Sequence, residues 1–196
     1  MQIIRHRRNA IEELKATPEK YGVELDLRSY GKKIIIHHDP FAEGEDFEEW
    51  IKYYKHKTLI LNVKEEGLEA RLLEVMKREG IEDFFFLDQS FPFLVKTAKQ
   101  GEKRCAVRVS EFESVQTALA LAGRINWVWV DCFVQFPLTK TSYNLLKDAG
   151  FKLCLVSPEL QGRASPKEIA DMRELMRNEN IAIDAVCTKT PELWEG

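Results

Sequence analysis

Glu24 and Asp26 stand two residues apart in the run VELDL (23–27), between Val23, Leu25 and Leu27. On an extended strand that spacing sends both carboxylates to one face and the three apolar side chains to the other. Two like charges crowded on a buried face repel unless a cation or a shared proton relieves them, so a hard divalent metal, Mg2+ or Ca2+, is the natural occupant. The structural alternative is pairing with a basic neighbour such as Arg28. In the metal reading, neutralising either carboxylate is expected to abolish metal binding yet, in metal-free buffer, to leave stability unchanged or raise it, because repulsion is relieved. Asn62 and Lys64 repeat the spacing in TLILNVK (58–64). The Asn62 amide oxygen can complete a metal sphere and the Lys64 ammonium can hold a phosphate oxygen as a point charge. Alternatively, the two are only a polar strand end before Glu65 and Glu66. His6 and His38 end the apolar runs QIIRH (2–6) and KKIIIHH (32–38). Two histidines beside a phosphorus centre can divide proton removal from the nucleophile and proton delivery to the leaving group. His37 points to the opposite face and is read as structural, and His56 in KYYKHK as a surface residue.

Such strand ends need a frame that gathers them. Besides QIIRH, VELDL and TLILNVK, apolar runs occur at DFFFLD (83–88), RCAVRV (104–109), WVWVDCF (127–133), KLCLVS (152–157) and DAVCTK (184–189). Stretches of helical period lie between them near 10–18, 45–55, 66–79, 91–100, 111–122, 139–149 and 166–179. Cap and stop signals include Asn9 with Glu12, and Gly80, Gly101 and Gly150. Alternating strands and helices mark an α/β protein with a parallel sheet, and eight strands fit a small (β/α)8 TIM barrel. SYGK (29–32) leaves room only for a tight turn after VELDL, so KKIIIHH is expected to fold back as an extra hairpin strand after the second barrel strand. A doubly wound open sheet competes, but neither GxGxxG nor GxxxxGK[ST] is present. In a barrel the site lies at the C-terminal strand ends.

The 196 residues are expected to form one domain, 1–196. Hydrophobic residues at 44% and charged residues at 31% argue against disorder and against a membrane protein, and a net charge of −3 gives no basic field for nucleic acid. The N-terminus lacks a signal-length apolar run, and no run reaches membrane-spanning length, so a cytoplasmic protein without stable membrane insertion is expected. Cys105, Cys132, Cys154 and Cys187 each sit alone in an apolar run without CxxC spacing and read as reduced, buried thiols. Of Trp127 and Trp129, one is expected to pack on a helix and the other to approach the barrel interior.

The motifs IIRHRRN, VELDLR, KKIIIHHDP, LILNVK and DAVCTKTP, in that order, resemble those of the glycerophosphodiester phosphodiesterase-like group within the PI-phospholipase-C-like barrels, which also includes the sphingomyelinase D toxins. The resemblance implies His6 and His38 as the acid/base pair, Glu24 and Asp26 as metal ligands, and Arg7 with Lys64 as phosphate contacts. Asn62 stands where the family has a third acidic ligand. Arg8 replaces the usual Gly after His-Arg, and the family's Pro-Glu-Asn is missing. No sizeable insertion follows His38, which leaves the mouth open or shaped by a partner subunit in an oligomer. The later strand ends would read the group attached to phosphate: Asp88, Arg108, Asp131, Glu159, Gln161 and Arg163 offer partners for a polar alcohol or sugar. The function implied is metal-dependent hydrolysis of a small soluble phosphodiester. The alternatives are a lyase releasing a cyclic phosphate and a non-catalytic barrel binding a phosphorylated sugar or lipid headgroup.

Overall fold

The computed structural model describes residues 1–195, which form two compact units: residues 5–101, and residues 1–4 with those from 102 onward. In the first, β2 (Gly22–Tyr30) is the centre of a sheet. It pairs in parallel with β5 (Leu59–Val63), which pairs in parallel with β6 (Phe84–Leu87). These strands are apolar on both faces at most positions, as expected of parallel strands covered on each side, and Leu25, Leu27, Leu61, Phe85 and Phe86 are buried in the core. The helices of this unit are α1 (Ile11–Ala16), α2 (Phe47–Trp50) with a short 3-10 turn after it, α3 (Glu69–Glu79) and α4 (Phe91–Lys99).

On its other side β2 pairs antiparallel with β3 (Lys33–Ile36), which carries the short β4 (Glu45–Asp46). The β2–β3 register, Leu27 opposite Ile36 and Tyr30 opposite Lys33, leaves Gly31 and Lys32 as a two-residue turn. Gly31 has φ of 60° and Lys32 does not share the positive sign, the pattern of a II′ turn whose twist matches that of the strands. His37 and His38 thereby come just beyond the end of β3, and the His37 N–H donates to the Asp26 carbonyl at 3.0 Å.

In the second unit β7 (Ala106–Val109), β8 (Trp127–Val130), β9 (Lys152–Val156) and β10 (Ala185–Thr188) are parallel neighbours in that order. Here β1 (Gln2–Arg5) lies beside β10, with the Gln2 N–H on the Asp184 carbonyl at 2.8 Å. Its helices are α5 (Val115–Leu119), α6 (Lys140–Asp148) and α7 (Pro166–Asn178). Trp127 and Trp129 are both buried, and so are all four cysteines, as free thiols. Gly80 ends α3 in the left-handed conformation, as its position predicts. The start of α1 differs from expectation. Its cap is Ala10, whose N–H is taken by Glu13 at 3.1 Å, and Asn9 is turned away to other work. No helix among the described residues is long and apolar enough to cross a membrane.

Candidate functional site

Polar residues within β2, at the end of β5 and just after β5 and β6 come together in the first unit with the loop that begins at His6. Glu24 and Asp26 are fully buried on one face of β2, and Asn62, opposite Asp26 in the β2–β5 register, is 6% exposed. The His6–Asn9 loop is stitched onto these carboxylates. The Arg7 N–H donates to Glu24 Oε2 at 2.7 Å, Arg8 N–H to the Glu24 carbonyl at 2.8 Å, and Arg7 Nε lies 3.2 Å from Asp26 Oδ2. Arg7 adopts φ of 49° to do this, a left-handed conformation that costs a non-glycine residue about 1–2 kcal/mol. The indole N–H of Trp50 ties the same loop through the Arg8 carbonyl at 2.9 Å.

Asn9 is the residue that sequence reasoning missed. Its amide donates to Asp26 Oδ2 at 3.0 Å and its oxygen accepts the Asp26 N–H at 3.1 Å, so one side chain fixes both backbone and carboxylate of Asp26. An Asn just before a helical stretch reads as a cap, and only the approach of the loop to β2 reveals the other role. Arg28 also departs from expectation. It pairs with neither carboxylate but donates to the His38 carbonyl and the Lys64 carbonyl, both at 3.0 Å, clamping the chain after β3 to that after β5.

The two carboxylates sit in unlike surroundings. Asp26 is flanked by cations, with Lys64 Nζ at 3.4 Å in addition to Arg7. Glu24 has His6 Nε2 at 3.8 Å and accepts the Asn62 amide at 2.8 Å. Burial first, and then the neighbouring Asp26 charge, push the Glu24 carboxyl up to about 7. A folded carboxyl titrating near 7 against an unfolded one near 4.5 binds more protons than the unfolded chain between those values. Its contribution is therefore complete below pH 4.5 and is lost as pH rises toward 7. Without metal, wild type is expected to lose up to about 3 kcal/mol more stability between pH 4.5 and 7.5 than Glu24→Gln, at roughly 1.4 kcal/mol per unit. Urea denaturation of both at the two pH values checks this, and parallel profiles would contradict it.

Lys64 Nζ also lies 2.9 Å from Asp88 Oδ2, which brings together two residues predicted separately as phosphate and substrate contacts. Asp88 has φ of 58°, again a left-handed non-glycine residue at a strand end. His38 Nδ1 is 2.7 Å from Asp39 Oδ1. That contact holds the Asp39 carboxyl below its usual range.

The donors suit a hard divalent cation. They are buried carboxylate and amide oxygens, of which Asp26 Oδ1 and Asn62 Oδ1 accept no hydrogen bond among the described residues. Only two of them are carboxylates, and no group of three His, Cys, Asp or Glu placed to hold a metal occurs among the described residues.

The remaining predicted residues lie in the second unit. Buried Asp131 accepts Gln161 Nε2 at 2.6 Å and the Cys132 N–H at 3.0 Å, and Arg108 Nη1 is 3.7 Å from its other oxygen. Glu159 accepts the Ser157 and Thr188 hydroxyls and the Lys189 N–H, the last at 2.9 Å. It thus binds the ends of β9 and β10 together. Arg163 donates to the Val134 carbonyl. Glu111, not foreseen, accepts the N–H groups of Phe133, Val134 and Gln135.

No family model and no curated protein matches the sequence. Among solved structures, the chain is similar first to a class of α/β proteins, the (β/α)8 barrels. The tryptophan synthase alpha-subunit of Pyrococcus furiosus matches over 95% of this chain and 86% of its own, with TM-score 0.59 and 13% identity. The glycerophosphodiester phosphodiesterase of Agrobacterium tumefaciens matches over 99% of this chain and 98% of its own, with TM-score 0.68 and 12% identity. A glycerophosphoryl diester phosphodiesterase of Parabacteroides distasonis matches over 98% and 84%, with TM-score 0.66 and 15% identity. At these identities the likeness is one of fold. The same fold carries unrelated chemistries, so function has to be argued from the site.

Proposed function

We propose that the chain is a (β/α)8-barrel phosphodiesterase acting on a small soluble diester of the glycerophosphodiester type. The observation that carries this reading is the convergence of Arg7, Lys64 and a histidine on two buried carboxylates of β2, in a chain whose fold is similar to that of two such enzymes. Arg7 and Lys64 would bind the phosphodiester anion, Arg7 through its planar guanidinium and Lys64 as a point charge. Asp39 on Nδ1 of His38 leaves Nε2 to accept a proton. His38 is assigned as the base that takes it from attacking water, and His6 as the acid that protonates the departing alkoxide when the phosphorus–oxygen bond breaks. The products are a phosphomonoester and an alcohol. Glu24, Asp26 and Asn62 would hold Mg2+ or Ca2+, which when bound supplies charge to the phosphoryl oxygens. Asn9 keeps Asp26 in place.

Phosphorus NMR of a glycerophosphodiester incubated with the protein and Mg2+ or Ca2+ is expected to show conversion to a monoester that stops in excess chelator. A cyclic phosphate would replace hydrolysis by lyase chemistry. No turnover of any diester with either metal would leave a phosphate-binding protein and overturn the proposal.

A further inference from the structure

Arg28 follows Glu24 and Asp26 along β2 at the same spacing of two, so its side chain leaves the strand on the face of the two carboxylates. Both carboxylates are fully buried whereas Arg28 is half-buried, which puts it on the solvent side of them. The backbone brings a neighbouring segment to each side of it. The His37 N–H donates to the Asp26 carbonyl at 3.0 Å, and the Lys64 N–H to the Leu27 carbonyl at 2.9 Å. A guanidinium carries five N–H groups in a planar fork. Arg28 uses Nε on the His38 carbonyl and Nη1 on the Lys64 carbonyl, both at 3.0 Å. Nη2 bonds to none of the described residues and is not one of the buried, unbonded side-chain atoms, so it meets solvent.

The cations of the site are unevenly matched. Arg7 faces Asp26 at 3.2 Å, and Lys64 faces Asp26 at 3.4 Å and Asp88 at 2.9 Å. Arg28 pairs with no carboxylate among the described residues. Its two partners are neutral carbonyls, which satisfy N–H groups without cancelling the charge. An anion arriving at Arg7 or Lys64 competes with carboxylates already in place, while one arriving at Arg28 competes only with water. Hydrogen bonds from a guanidinium to an oxyanion are also short and strong, about twice those between neutral groups. The same guanidinium ties the segments that carry His38 and Lys64. An oxyanion on Nη2 is therefore anchored to both, and holding reacting groups in a fixed arrangement is itself a large part of catalysis.

We infer that Arg28 is a third phosphate-binding residue of the site: Nη2 takes a phosphoryl oxygen while Nε and Nη1 keep the His38 and Lys64 segments in place around it. This rests on the phosphodiesterase reading for the identity of the anion, but binding can be followed without turnover. The probe is inorganic phosphate, titrated into the whole chain at low salt while the guanidinium NMR signals of Arg28 are recorded, with Arg28→Lys supplying their assignment. The Nη signals are expected to move saturably in the wild-type protein, a readout that no variant's folding can confound. Arg28→Met is expected to weaken phosphate about tenfold, and Arg28→Lys less, since an ammonium keeps the charge but loses the fork. With a glycerophosphodiester as substrate, Arg28→Met should raise KM by a similar factor. Arg28→Lys should lower kcat more than it raises KM, because one ammonium cannot hold two carbonyls and an anion together. Phosphate-dependent Arg28 signals without turnover of any diester would support the contact while overturning the phosphodiesterase. Phosphate binding that Lys64→Met weakens, but that leaves the Arg28 signals unmoved and Arg28→Met within about twofold of wild type, would reduce Arg28 to a clamp. That result would overturn this inference and leave the enzyme reading intact. A wild-type chain that binds no phosphate would overturn both.

Discussion

Replacing His6 with asparagine is expected to slow diester cleavage about a hundredfold or more, because positioned acid–base groups contribute roughly 10²–10⁴ in rate. His6 sits where the loop from β1 meets Glu24, with Nε2 at 3.8 Å from the carboxylate, and asparagine keeps a polar group there. The fold should survive, so a circular dichroism melt close to wild type is part of the expected result. His38→Asn is expected to cost a comparable factor, since it removes the ring that Asp39 orients. His37→Asn should do much less: that ring is occupied in a local turn, accepting the Asp39 N–H at 3.0 Å. Single-turnover rates of the three variants decide the matter. Rates for His6→Asn and His38→Asn within threefold of wild type would remove both histidines from the chemistry.

The second large effect is an asymmetry between the two carboxylates, which spacing alone had made equivalent. Asp26→Ala is expected to lower stability by about 3 kcal/mol in metal-free buffer, the low end of what breaking a buried ion pair costs. Asp26 is fully buried, and its removal takes from the mostly buried Lys64 one of its two carboxylate partners, leaving Asp88 at 2.9 Å, and leaves the Asn9 amide without its acceptor. The low end applies because Arg7, the other cation, is 41% exposed and can turn to water. Glu24→Gln should leave stability unchanged near neutral pH, or raise it. That carboxyl is held up to about 7 by burial and by Asp26, so an uncharged side chain resembles the state it already partly occupies. The sequence-based expectation that either neutralisation is harmless is therefore kept for Glu24 and replaced for Asp26. Chemical denaturation of the two variants measures the difference. Equal stabilities would mean that the cations around Asp26 do not outweigh its desolvation.

Much of the frame was legible in the chain itself, because it rests on local periodicity. The eight apolar runs became the strands β1, β2 and β5–β10, parallel in every pair formed among the last seven, and the helical stretches between them became helices or short helical turns, since a run buried on both faces reads as continuous Val, Leu, Ile and Phe without tertiary information. The hairpin after β2 was legible for a similar reason: four residues between two β-rich runs permit only a tight turn, and Gly31 is the residue that tolerates it. The period of two also put Glu24 with Asp26, and Asn62 with Lys64, on shared faces.

What each of those side chains meets was decided by tertiary structure. Asn9 lies seventeen positions before Asp26, and nothing in its neighbours distinguishes a residue that locks a carboxylate from one that caps α1. The same limit hid the pairing of Lys64 with Asp88 and the clamp made by Arg28, which join loops twenty-four and thirty-six positions apart. It also hid the saturation of Glu159 by its own backbone and hydroxyl neighbours. The sequence by itself determined which residues end the strands and which face they leave, because backbone geometry repeats every two residues whatever the chain does elsewhere. Only the tertiary structure decided how charge is compensated among them, because electrostatic partners are chosen by distance in space and by exclusion of water, and neither is a property of neighbours along the chain.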